Sequence, residues 1–167
     1  MSGPFRRLVH KPRRLLVGVV VLLPLVLAAS GAEAAACKKV SGSFTLTPLS
    51  GPACTSPVGI CATGVYKGGI KATSVFTGTS VIPTVDTPTT AVVLVTGDNQ
   101  LTSSSGTLQT KDAIVLRTIG AGDFAEVDTV IGGTGQWTGA TGVLRAQGTF
   151  TATAGGGGDY VGEVCTI

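Results

Sequence analysis

From Val40 onward the chain alternates. Between Val40 and Leu46, the residues Val40, Gly42, Phe44 and Leu46 share one parity, and Ser41, Ser43 and Thr45 share the other. A repeat of two is the mark of a strand with one buried face. The pattern is plainest after Gly142. There Leu144, Ala146, Gly148, Phe150 and Ala152 fall on one side, and Val143, Arg145, Gln147, Thr149 and Thr151 on the other. Further strands are predicted over 69–81 (bent at Gly78), 90–96, 107–116 (one bent strand or a hairpin), 124–131 and 160–165, with the clearest one spanning 143–153. Turn-rich stretches separate them: GDNQ at 97–100, SSSG at 103–106, GAGD at 120–123 and GGGGD at 155–159. No long window repeats apolar residues at helical spacing, and no fixed-period repeat is present. Seven or eight short strands predict an all-β fold, an antiparallel barrel of about eight strands or a sandwich. The alanines and glycines on the buried side of 143–152 suit a curved barrel wall.

The beginning of the chain follows a different rule. Arg6, Arg7, His10, Lys11, Arg13 and Arg14 precede the apolar run Leu15–Ala29, and small residues follow. Basic, apolar, small is the order of a secretory signal peptide, here residues 1–36. The run holds 15 residues including Pro24, whereas a spanning helix needs roughly 20, so no stable transmembrane span is expected after its removal. Cleavage fits after Ala34 or after Ala36, and Arg13-Arg14 loosely permits twin-arginine export. A retained anchor is the alternative. Without the leader, the net charge changes from +3 to −1, from seven basic and eight acidic residues. No cationic patch then recommends nucleic acid as a partner.

All four cysteines, Cys37, Cys54, Cys61 and Cys165, lie beyond the leader. An even count in an exported chain predicts two disulfides, with three pairings open. Cys54 and Cys61 flank the short turn TSPVGI and can meet locally, leaving Cys37 and Cys165 to staple the first strand to the last. The rival reading lipidates Cys37 and anchors the protein to the envelope.

The run GGTGQWTGATG, residues 132–142, invites a nucleotide reading that its spacing rejects. Three residues separate Gly135 from Gly139 where a dinucleotide loop has two, a strand follows instead of a helix, and no lysine is present for a P-loop. The glycines are better suited to a tight connection between strands, with Trp137 covering a barrel end or filling a gap beneath the loop. The series Gly132, Gly133, Thr134, Gly135, then Trp137, then Gly139, Ala140 and Gly142 resembles the signature of the allene oxide cyclase and dirigent barrel superfamily. FAEVDTVI and GDYVGEVC are similar to its small exported bacterial relatives, and the resemblance is best over 107–165. It implies an eight-stranded antiparallel barrel, which in some relatives holds a hydrophobic molecule and steers its cyclisation or coupling. The first strand, KVSGSFTLTP, offers only hydroxyls where cyclases of that superfamily use polar groups including a carboxylate.

Candidate chemistry is sparse. His10 is the only histidine and lies in the leader, which removes histidine-based triads and most transition-metal sites from the domain. No cofactor or metal is expected. Glu126 and Asp128 are two apart, so they share a strand face roughly 7 Å from one another and are candidate acid and base. The simpler expectation is a solvated outer face. If they point inward, Arg145 on the following strand is their expected partner. Tyr66, Lys71, Asp112, Arg117 and Tyr160 are the other polar residues that a lumen can use, and Tyr66, Trp137 and Tyr160 are the candidate ligand contacts. Two functions follow as expectations. One is an exported, non-catalytic binding or envelope module; the other is a cofactor-free cyclase or coupling guide acting on a small hydrophobic ligand.

Overall fold

The computed structural model describes residues 36–87 and 90–167. The predicted signal peptide falls almost wholly outside the described residues. Eight strands make up the domain: β1 (Ala36–Leu49), β2 (Cys61–Gly68), β3 (Ala72–Thr87), β4 (Thr90–Ser103), β5 (Gly106–Arg117), β6 (Asp123–Gly133), β7 (Thr141–Thr151) and β8 (Gly155–Thr166). Each pairs antiparallel with its successor, and β8 pairs with β1 to close the barrel. Closure leaves neither terminal strand as an open edge, although β3 beyond Thr77 pairs with β4 alone.

Three segments differ from expectation, each for a reason of side-chain size. Cys61–Gly68 is a strand of its own, with Ala62, Gly64 and Tyr66 turned inward. GDNQ, expected as a turn, lies in the middle of β4, where Gly97 and Asn99 face the lumen. The GGGGD run opens β8 rather than preceding it, because here β7 and β8 approach very closely. A Cβ placed on Gly158 would stand 1.9 Å from the Gln147 carbonyl oxygen. Residues 107–116 form one unbroken strand, the bend at Gly78 is a bulge before Ser80, and Ala152 lies beyond β7, exposed.

One end of the barrel is packed solid. Val40, Ile70, Leu101, Leu108, Val130, Leu144 and Val164 fill it, and Trp137 packs against them from the connection between β6 and β7. That connection is a single 3₁₀ turn, Gly135–Trp137. Gly135 has φ +61°, and its Cα lies so near the β4–β5 turn that a Cβ would meet the Ser105 carbonyl oxygen at 2.1 Å. The Gln136 amide donates to that same carbonyl (2.9 Å). The glycine run is therefore a strand connection, as its spacing indicates.

Tyr160 closes this end from within. Its hydroxyl accepts from the Ile70 amide (2.7 Å) and donates to the Lys67 carbonyl (3.1 Å), tying the β2–β3 turn to β8. It lines no part of the open lumen, which removes it from the ligand contacts. Tyr160→Phe would strand the buried Ile70 amide, at an expected cost of about 1–3 kcal/mol. Urea denaturation checks this, and a midpoint equal to that of the wild type would refute it.

Both disulfides form in the expected pairing. Cys37 and Cys165 are direct partners across β1 and β8, and Cys54 joins Cys61 over a separation of seven residues. All four thiols are consumed, so Cys37 keeps none for a lipid. Two bridges in so small a domain fit an oxidising, extracytoplasmic compartment.

Candidate functional site

The lumen changes character along the barrel axis. Above the solid end lies a polar layer, and above that an apolar slot. The polar layer is built by strand parity. Along β5 the inward row is Leu108, Thr110, Asp112, Ile114 and Leu116; along β6 it is Val130, Asp128, Glu126 and Phe124. Asp112 is the register partner of Asp128, and Ile114 that of Glu126. On the other flank Asn99 of β4 pairs with Thr110. Between Val130 and Gly132 the β6 strand bulges, with Ile131 as the extra residue.

This arrangement gathers three carboxyls. One oxygen each from Asp112, Glu126 and Asp128 lies within 4.8 Å of the others. Asp112 and Asp128 are 3% and 2% exposed, and Glu126 is half-buried. Thr110 Oγ1 donates to Asp112 Oδ1 (2.5 Å). Asp112 Oδ2, Asp128 Oδ1 and Asn99 Oδ1 have no hydrogen-bond partner.

Burial governs the ionisation of the layer. It raises the Asp112 carboxyl to about 6, against partial relief from Thr110, Glu126 and Asn99. Burial and the neighbouring Asp112 charge raise Asp128 to about 8. Glu126 is lifted well above the usual carboxylic range by burial and then by Asp128 and Asp112. The Tyr66 hydroxyl is raised by burial and by the same carboxyls. At neutral pH the layer holds protons that exposed carboxyls would release.

Several expectations need correction. Glu126 and Asp128 point into the lumen, not to solvent. Arg145 is not their partner: it is exposed and sits between Val127 and Val161 in register, all three on the outer wall. The alternation that buries Leu144 and Ala146 must turn Arg145 outward. Lys71 is exposed, and Arg117 forms an ion pair with Asp123 outside the barrel. Trp137 covers the closed end and does not reach the slot. Tyr66 and Asp112 are where a lumen group should be. Asn99 went unrecognised because its neighbours read as a turn.

The slot above the layer is lined by Phe44, Leu46, Ile60, Ala62, Phe76, Val95, Ile114, Leu116, Phe124 and Phe150, with Tyr66, Asn99 and Glu126 at its floor. Phe44 stacks on Tyr66, centroids 5.2 Å apart. The slot leaves about 50 Å³ to the centre of a water-sized sphere, whereas one water needs roughly 10–15 Å³ on that measure. It opens past Ile60, Leu116 and Phe150 into a depression of about 870 Å³ edged by Pro48 and Thr151. No protein-family model matches this chain, and no curated protein matches it either.

Proposed function

We propose that this chain is an exported barrel that binds a slim, largely apolar molecule in its lumen without transforming it. The observation that carries the reading is the slot. Its walls are apolar, its far end is closed, and its polar groups converge at the floor, the usual constitution of a small-molecule site. The predicted leader and the two disulfides support export. The slot itself leaves only about 50 Å³, which favours binding over the cyclase or coupling reading. A folded polyene or paired phenols need roughly 300 Å³ or more and would have to lie mainly in the depression of about 870 Å³ at its mouth. The occupant is therefore a short chain or single ring, held by the aromatic walls with its polar end toward Tyr66, Asn99 and Glu126.

Titration with hexanol and hexylamine, followed by thermal unfolding and by NMR of the Ile114 and Phe150 side chains, tests this. Saturable shifts are expected. At about 100 times Kd the added stability should be about 2.7 kcal/mol. Ala62→Leu fills the slot from β2 and should abolish the shifts while the fold survives. Absence of saturable binding by either probe would refute the lumen site, and turnover of a phenolic or polyene substrate would refute the non-catalytic half of the reading.

A further inference from the structure

The polar layer poses a problem that the slot does not solve. Three of its buried oxygens, Asn99 Oδ1, Asp112 Oδ2 and Asp128 Oδ1, come from three adjacent strands and have no hydrogen-bond partner. Asn99 is 7% exposed, and it is an independent member, an amide on β4 within hydrogen-bonding reach of the Asp112 carboxyl on β5. Among the described residues nothing supplies positive charge to the layer. All seven basic residues beyond the leader, among them Lys111 (ion-paired to Asp98), are exposed. Buried oxygens left without a partner are expensive to maintain, and a cation would satisfy them in place of the protons that burial otherwise makes the carboxyls keep.

We propose that this layer is a divalent-cation site, with Asp112, Asp128 and Glu126 as carboxylate ligands and Asn99 Oδ1 as a fourth. The geometry suits it. Oxygens bound to one calcium ion at 2.3–2.6 Å lie at most about 5 Å apart across the ion, and the carboxylate oxygens here are within 4.8 Å of one another. The donor set is wholly oxygen, which selects hard ions and disfavours zinc or copper. Calcium fits better than magnesium, because magnesium demands near-ideal octahedral geometry and keeps several of its waters. The half-buried Glu126 joins the layer to the slot, giving the ion an entry path. This site does not depend on the small-molecule reading, and either can fail alone.

The test uses the oxidised protein, stripped with chelator and titrated with calcium chloride at pH 8 by calorimetry. Terbium luminescence sensitised through Tyr66 is the second readout. One ion per chain is expected. Asp112→Asn and Asp128→Asn should each weaken binding at least tenfold and quench the tyrosine-sensitised terbium signal. Asn99→Ala should weaken it at least threefold, and Glu163→Gln, on another face, should leave it unchanged. The chelated variants are also compared by circular dichroism. Should one aspartate variant fail to fold, the other and Asn99→Ala decide the matter. No saturable one-to-one binding would overturn the proposal. So would binding unaltered by the folded variants, which would place the ion on the outer surface.

Discussion

Replacing Cys37 and Cys165 together by alanine is expected to lower the unfolding free energy by about 5 kcal/mol, and replacing Cys54 and Cys61 by only about 2.5 kcal/mol. The two bridges close loops of very different size, with sequence separations of 128 and 7. In the chain-entropy account the larger loop restricts the unfolded ensemble far more. Small domains are stable by roughly 5–15 kcal/mol in all, so the loss of the long-range bridge takes a third or more of the total. Urea denaturation of the two double variants checks the ranking. Equal costs would show that unfolded-chain restriction is not what these bridges contribute.

The second large effect is on pH dependence. In a chelated buffer, the fold is expected to lose stability as pH rises from about 4 to 8, by on the order of 3–5 kcal/mol. The sign follows from the carboxyls. Asp112 and Asp128 titrate near 6 and 8 in the native barrel, both raised from 3.8. Between those values the native state holds protons that the unfolded chain releases, so added base favours unfolding. Their stabilising protonation is complete below the unfolded value and lost through the native one. The surface pairs Lys111–Asp98 and Arg117–Asp123 act in the opposite direction but are exposed and screened. Asp128→Asn should flatten the profile, gaining stability at pH 8 and changing little at pH 4. A wild-type profile that climbs over this range, or an Asp128→Asn variant weaker at pH 8, would contradict this account.

The fold was largely legible in the sequence, and the site only in part. Strand parity worked wherever the inner face was apolar and the outer polar, as in β1 and β7. It failed where the inner face was polar or bare. Gly97 and Asn99 inside β4 looked like a turn, and the glycines of β8 had no side chains to show an alternation. The acid layer did leave a signal: Glu126 and Asp128 share the parity of Phe124 and Val130, and Asp112 that of Leu108 and Ile114. What masked it was the outer wall. Val127, Val115 and Leu94 are 40–47% exposed, so apolar residues stand on both faces of these strands and hydrophobicity alone does not separate inside from out. The gathering of Asp112, Asn99 and Glu126 depends on register and on the bulge at Ile131, and neither is written in local spacing.

Closure of the barrel through β1 and β8 has a kinetic consequence. Every other strand pair joins neighbours in sequence and can zip as a hairpin once its turn forms. The pairing of Ala36 with Thr166 must wait for the whole chain, and long-range pairings of this kind slow folding. Until that moment β1 and β8 are both open edges, able to pair with another copy. The lumen, its acid layer and its slot do not exist before the last strand arrives, so a chain truncated in β8 should lose the entire interior at once rather than one wall of it.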